Sequence, residues 1–301
     1  MGTVQANGIE IAYELHGDPS GLPLLIVSGL GQQLVGWHPD LLRAMVRRGF
    51  QVVVYDNRDV GLSSHFGHLG QPDLMAALSG DAGVVPYRLL DMAADAAGLM
   101  DALGWESAHI FGISMGGMIA QTLALRFPGR VRSLTSASST TGNHAESWPT
   151  PAAAAALLRP AAADREAFMD GAEEAYSVIG SGEFPYDRAW VRERAGLAWD
   201  RGYDPQGPVR QLIAILVAED RTAELGQLTI PTLVVHGTND PLIPVAGGRL
   251  TAAAVPAAEL LEIDGMGHDL PRQVWERLLD KIDDVVHRGE AARSAGRTAI
   301  A

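Results

Sequence analysis

The chain has 301 residues, of which 47% are hydrophobic and 20% are charged, and its formal net charge at pH 7 is −13. These values are typical of a globular protein of roughly one or two domains, and the acidic balance argues against nucleic acid or an anionic membrane as partner. The absence of cysteine excludes disulfides, thiolate catalysis and cysteine-bound zinc. We see no signal-peptide pattern and no apolar run near the ~20 residues of a membrane span, and therefore expect a cytoplasmic protein.

The first half of the chain alternates predicted strands and helices. Asn7-Gly8, between alternating apolar residues, predicts a β-hairpin over residues 3–15. Apolar runs predict buried strands at 24–27, 52–55, 108–111 and 131–137. Helical patterns follow at 39–48, 89–103 and 118–127. This order predicts an α/β fold, in which a mostly parallel, eight-stranded sheet carries helices on both faces.

The segment 144–225 has a different character, because it contains amphipathic helical patterns broken by prolines and no buried strand. A crossover between parallel strands needs only about a dozen residues, so we interpret this segment as a helical cap inserted before the last two strands. Those strands are predicted at 232–235 and 259–263, and a closing helix at 273–286. The predicted domains are thus a core of residues 1–143 and 226–287, the cap, and a mobile tail over 288–301.

A Gly-x-Ser-x-Gly pattern, from Gly112 to Gly116, lies between a predicted strand and a predicted helix. In this context the pattern predicts a very tight turn that holds its serine in a strained backbone conformation, with the hydroxyl directed out of the sheet. Both glycines are required where the chain folds back beside itself. Ser114 is therefore the candidate nucleophile.

Asp240 and His268 follow the last two predicted strands. A serine hydroxyl is a poor nucleophile at neutral pH and needs a base, normally a histidine held by a carboxylate. Because the carboxyl ends of parallel strands meet at one edge of a sheet, we expect both side chains close to Ser114. The sequence predicts a Ser114–His268–Asp240 triad.

The oxyanion of a tetrahedral intermediate needs two hydrogen-bond donors. The backbone N–H of Met115 begins the nucleophile helix and gains from the helix dipole. The loop after the 24–27 strand offers a second N–H at Leu30, since Gly29 and Gly31 let that backbone approach a substrate closely. We predict Leu30 and Met115 as the oxyanion hole.

Five motifs carry a resemblance to a known family. They are Ser28-Gly29-Leu30-Gly31, the stretch from Asp56 to Ser63, Gly112 to Gly117, Gly237-Thr238-Asn239-Asp240 and Gly265-Met266-Gly267-His268. The chain resembles the α/β-hydrolase superfamily, and within it the serine esterase branch that includes aclacinomycin methylesterase and the cofactor-free haloperoxidases. The resemblance implies the same triad roles and no cofactor or metal. Many relatives have His-Gly at the first loop, where this chain has Ser28-Gly29.

We expect a carboxylic-ester hydrolase of small, largely apolar molecules that acts through an acyl-enzyme, as a monomer or homodimer. Ser114 argues against haloalkane dehalogenases and epoxide hydrolases, which use an aspartate at the same turn. Lactonases and carbon–carbon bond hydrolases keep the serine triad and stay open alternatives. A small-molecule receptor on the same fold is a further alternative, because a fold alone does not establish turnover.

The predicted substrate pocket is apolar and consists of Trp148, Leu242, Ile243 and Met266. Acidic residues outnumber basic ones in the cap, so the composition does not indicate an anionic substrate. Asp264 and Asp269 flank His268 and could replace Asp240 in the triad, but we interpret both as turn caps.

Overall fold

The computed structural model describes residues 1–79 and 85–298, with side chains as far as 295. Eight strands form one sheet in the order β1-β2-β4-β3-β5-β6-β7-β8. Their bounds are β1 Gly2–Ala6, β2 Ile9–His16, β3 Leu22–Val27, β4 Phe50–Tyr55, β5 Ala108–Ile113, β6 Val131–Ala137, β7 Thr232–Gly237 and β8 Glu259–Ile263. β2 pairs antiparallel with β1 and β4, and all other pairs are parallel. The predicted eight-stranded, mostly parallel sheet is confirmed.

Helices cover both faces of the sheet. The helices are α1 Pro39–Arg47, α2 Leu74–Leu78, α3 Leu89–Ala102, α4 Met115–Arg126, α5 His144–Ser147, α6 Pro151–Leu157, α7 Arg165–Ile179, α8 Arg188–Arg201, α9 Gly207–Leu216, α10 Thr222–Leu225, α11 Val245–Ala254 and α12 Trp275–Thr298. Alternate residues of a strand point to opposite faces, so Leu25 of β3 belongs to the apolar cluster that includes α3 and α4, and Leu24 belongs to the one that includes α1 and α12. Two apolar clusters result, one on each face, and the strands between them are buried on both sides.

The segment between β6 and β7 contains the helices α5 to α10 and no strand. The helical insertion predicted before the last two strands therefore lies where the sequence placed it. Its helices α7 and α8 pack closely against each other, and α8 also contacts the segment after β3. Among the described residues, no helix is both long and apolar enough to cross a lipid bilayer.

Two elements differ from the sequence interpretation. The sequence predicts a mobile tail from Arg288, but α12 continues through this segment to Thr298. Glu290 anchors this extension, because its carboxylate binds Arg132 and His109 on the sheet. Residues 299–301 of the predicted tail lie outside the described residues. The short helix α2, which borders the site, was not predicted.

Candidate active site

Ser114 occupies the turn between β5 and α4 with φ 57° and ψ −122°, a left-handed conformation that is rare for a residue with a side chain. Close backbone packing imposes this turn. A Cβ on Gly112 would lie 2.2 Å from the Gly116 carbonyl oxygen, and a Cβ on Gly116 would lie 2.0 Å from that of Val27. Only glycine fits at either position, as the sequence predicted.

The structure brings Ser114, His268 and Asp240 together from three strand ends. Ser114 Oγ lies 2.9 Å from His268 Nε2, and His268 Nδ1 lies 2.7 Å from Asp240 Oδ2. The three side chains thus form a continuous hydrogen-bonded chain from a hydroxyl through an imidazole to a carboxylate. This geometry lets the histidine accept the serine proton while the carboxylate orients the ring and stabilises its positive charge.

The carboxylate of Asp240 is buried and fully bonded. Its Oδ1 accepts hydrogen bonds from the backbone N–H groups of Leu242 and Ile243, each at 2.9 Å. Burial alone would raise the pKa of Asp240, but the charge of His268 and hydrogen bonds from His236 and His268 hold that pKa below its ordinary value. Asp240 is therefore an anion wherever the protein is folded near neutral pH. The sequence did not reveal the contribution of His236.

Both residues predicted to form the oxyanion hole lie close to the serine. Met115 is the first residue of α4, so its N–H has no acceptor within the helix. The loop after β3 passes directly over the nucleophile, because a Cβ on Gly29 would lie 3.3 Å from Ser114 Cβ. The next residue, Leu30, lines the cavities on both sides of Ser114. This loop is held from the cap, where Gln211 accepts a hydrogen bond from the Gly31 N–H at 2.8 Å.

Ser28, the first residue of the loop after β3, has a structural contact of its own. Its hydroxyl accepts a hydrogen bond from Trp37 Nε1 at 2.9 Å, and its carbonyl oxygen accepts one from the Asn57 side chain. The side chain is fully buried, so it does not face a substrate. Ser28 therefore fixes the loop that presents Leu30.

An apolar cavity of about 160 Å³ lies on one side of Ser114. Trp148, Leu242 and Ile243 line it, together with residues of α2 and α9. Met266 does not line it, although the sequence placed this residue in the pocket. Met266 is fully buried in the apolar cluster under α12, because the loop before His268 turns its side chain into the core.

A larger cleft of about 710 Å³ opens on the other side of the serine. Core residues, including Ser114 and His268, form its floor, and the helices α7 and α8 form its walls. Leu157 and Leu242 border both this cleft and the apolar cavity. The nucleophile thus stands at the junction of two spaces that differ in size and polarity.

The loop that carries His268 is fastened to the cap. The carboxylate of Asp269 accepts hydrogen bonds from the hydroxyls of Tyr176 and Ser181, and Ser181 Oγ also accepts one from the Gly267 N–H at 2.8 Å. The backbone N–H of His268 itself donates to the Ile179 carbonyl oxygen at 2.7 Å. Asp269 is therefore a link between cap and catalytic loop and not a substitute for Asp240.

A cluster of Asp59, His65 and Asp204 beside the site has a spacing that could hold a metal ion. Arg210 already supplies a positive charge there, since its guanidinium donates to both carboxylates at 2.8 to 2.9 Å. An added cation would have to displace this buried arginine. The cluster is thus a structural ion-pair network that joins α9 to the core.

Known proteins resemble this chain in sequence and in fold. A family model described as alpha/beta hydrolase fold matches residues 23–271. The chain is 29% identical to rhodomycin D methylesterase DnrP of Streptomyces peucetius, over 87% of this chain and 90% of that protein. It is 33% identical to the putative carbamate hydrolase RutD of Variovorax paradoxus, over 77% of this chain and 79% of that protein. The enol-lactonase of Burkholderia xenovorans LB400 superposes with a TM-score of 0.71 at 21% identity, over 95% of this chain and all of that one.

Proposed function

The chain belongs to the α/β-hydrolase fold family, and from this premise we propose that it is a serine hydrolase that cleaves carboxylic esters. The observation that carries the proposal is the hydrogen-bonded chain from Ser114 Oγ through His268 to Asp240, at 2.9 and 2.7 Å, on a strained turn. Relatives named as a methylesterase and putative carbamate hydrolases support hydrolysis of an acyl group.

The proposed reaction has two halves. His268 Nε2 takes the proton of Ser114 Oγ, which attacks the ester carbonyl, and the N–H groups of Leu30 and Met115 hold the resulting oxyanion. His268 then returns the proton to the departing alcohol, which leaves an acyl-enzyme on Ser114. Water activated by the same histidine releases the acid and restores the serine.

We also propose that residues 144–225 act as a cap that selects the substrate. The support is that helices of this segment line both spaces around Ser114, while the core alone supplies the reacting atoms. Trp148, Leu242 and Ile243 make one of those spaces apolar, which favours an apolar group on one half of the substrate. The cytoplasmic location and the monomeric or homodimeric state stay predictions from the sequence.

The test is the Ser114→Ala variant assayed with p-nitrophenyl butyrate. We expect kcat/KM to fall about 10³-fold or more, because the nucleophile and its base act as one unit. The circular dichroism spectrum should stay that of the parent. The control is Ser177→Ala, an exposed serine on α7 that bonds only its own helix.

The receptor alternative is tested with the same proteins. A serine-directed fluorophosphonate would label the parent under either hypothesis, but only an enzyme would release many equivalents of p-nitrophenol per chain. Labelling with a single turnover would overturn the proposal. A lactone and a β-diketone assayed beside the ester separate lactonase and carbon–carbon bond hydrolase activity from esterase activity.

A further inference from the structure

Arg194 on α8 differs from the other arginines of the cap. Six of the eight arginines in residues 144–225 form ion pairs, namely Arg159, Arg165, Arg188, Arg192, Arg201 and Arg210. Arg221 donates to carbonyl oxygens of Gln121, Thr140 and Glu219. The side chain of Arg194 has neither an ion pair nor a hydrogen bond within the part of the chain that the structure describes. It is half-buried and lines the larger cleft beside His268.

The surroundings of Arg194 do not neutralise it by direct contact. Its charged or titratable neighbours are Tyr176, Asp269 and Tyr186, and the Asp269 oxygens already accept from Tyr176 and Ser181. Burial lowers the pKa of Arg194, and these neighbours offset only part of that effect. A half-buried guanidinium that no carboxylate contacts directly carries a desolvation cost that an incoming anion would recover.

The other charges that line the cleft are already engaged. Arg188 pairs with Glu173, and Arg272 pairs with Asp40. Asp187 accepts a hydrogen bond from the Trp190 N–H at the start of α8. Among the described residues that line the cleft, Arg194 is thus a cation whose planar pair of N–H donors remains available for a carboxylate.

The position of His268 assigns the two halves of an ester to the two spaces. The alcohol oxygen must receive its proton from His268 Nε2, and His268 lines the larger cleft but not the apolar cavity. The alcohol half therefore occupies the cleft with Arg194, and the acyl half occupies the cavity of about 160 Å³. Stacked rings of Tyr176 and Tyr186, with centroids 4.5 Å apart, add a flat aromatic wall to the cleft.

We propose that Arg194 forms an anion-binding subsite that recognises a carboxylate on the alcohol half of the substrate, preferably on an aromatic ring. This inference rests on the proposed esterase function, and it refines the expectation of a largely apolar substrate. The cap is acidic as a whole, and Asp269 lies near Arg194. A substrate carboxylate in direct contact with the guanidinium would be closer to that positive charge than to the bonded Asp269 carboxylate.

The experiment compares 3- and 4-carboxyphenyl butyrate with the neutral 3- and 4-carbamoylphenyl butyrates, in the parent, in Arg194→Met and in Arg165→Met. Arg165→Met is the matched control, because it also removes one positive charge from the cap. Arg165 pairs with Asp200 and does not line the cleft. For at least one carboxylate ester we expect Arg194→Met to lower kcat/KM about 10- to 100-fold, mainly through KM. The carbamoyl esters should change less than about threefold, and Arg165→Met should resemble the parent. An equal loss for charged and neutral esters would overturn the subsite.

A binding measurement separates this inference from the esterase proposal. Calorimetric titration of Ser114→Ala with 3- and 4-hydroxybenzoate requires no turnover. Binding that Arg194→Met abolishes in the same background would support the subsite even if no ester were hydrolysed. Binding that is unchanged by Arg194→Met, or absent for both ligands, would overturn it.

Discussion

The two halves of the site are built differently. The core half places Ser114, Asp240 and His268 at the ends of β5, β7 and β8, on buried backbone that glycine contacts hold in place. The helices α7 and α8 of the cap half are joined in part by partly exposed ion pairs, such as Arg165 with Asp200, each of which contributes little free energy. In the proposed function, the core therefore determines the reaction and the cap selects the substrate.

The largest effect should follow from removing the negative charge of Asp240, whose carboxylate bonds Nδ1 of His268. Asp240→Asn keeps the shape of the side chain but not the anion that stabilises protonated His268. We expect kcat to fall by about 10³- to 10⁴-fold in ester hydrolysis. Asp264→Asn, which changes an exposed carboxylate that bonds Thr238, is the control and should keep near-parental activity. A comparable loss in both variants would contradict the assigned triad.

The rigidity of the core half can be tested at the turn itself. Gly116→Ala would place a methyl group 2.0 Å from the Val27 carbonyl oxygen, which no side-chain rotation relieves. We expect the free energy of unfolding to fall by roughly 3 kcal/mol or more, measured by urea denaturation. At Gly67 an added Cβ has no neighbour within 4 Å, so Gly67→Ala should cost little. Equal stability of the two variants would show that the turn is less confined than its contacts indicate.

Removing the hydrogen bonds that join the cap to the loop that carries His268 should have an intermediate effect. Ser181→Ala removes a hydroxyl that bonds both Asp269 and the Gly267 N–H, next to the catalytic histidine. We expect kcat to fall about five- to tenfold with little change in KM, because the loop that carries His268 loses a hydrogen-bonded support. The measurement is steady-state kinetics, with Ser177→Ala as the control on the same cap. An unchanged kcat would mean that the cap does not position His268.

The smallest effect concerns stability at the end of β5 opposite to Ser114. Burial has the largest effect on the pKa of His109 and lowers it. Glu290 raises this pKa and Arg132 lowers it, and the net shift is downward, so the ring is neutral in the folded state near neutral pH. An unfolded histidine takes up a proton below about pH 6.5, whereas folded His109 does not. The free energy of unfolding is therefore unaffected by this group above that pH and decreases as the pH falls below it. The measurement is urea denaturation at pH 7 and at pH 5. In His109→Gln the decrease in the free energy of unfolding between these two pH values should be smaller than in the parent by about 1–2 kcal/mol. The exposed His287→Gln should keep the pH dependence of the parent.

The sequence revealed the core half far better than the cap half, for a physical reason. Gly112, Gly116 and Ser114 stand together in the chain because one turn demands them, and Asp240 and His268 follow apolar strands whose order places their ends together. The confirmed fold followed from the same strand and helix patterns.

No comparable local rule applies to the cap. Arg194 and Tyr176 sit in ordinary helical patterns, and only the packing of α7 and α8 decides which face meets the cleft. The sequence assigned Met266 to the pocket wrongly for a related reason. Its position two residues before His268 does not reveal which way the side chain points. The sequence also does not show which arginines of the cap form ion pairs, because the partners come from other parts of the chain.

The proposed reaction requires that Ser114 carry the acyl group during turnover. Intact-protein mass spectrometry after acid quenching of the reaction with p-nitrophenyl butyrate, followed by peptide mapping, tests this step by detecting the adduct itself. We expect a mass increase of one butyryl group on the peptide that contains Ser114, and none in Ser114→Ala. An adduct on a different residue, or undiminished hydrolysis by Ser114→Ala, would contradict it.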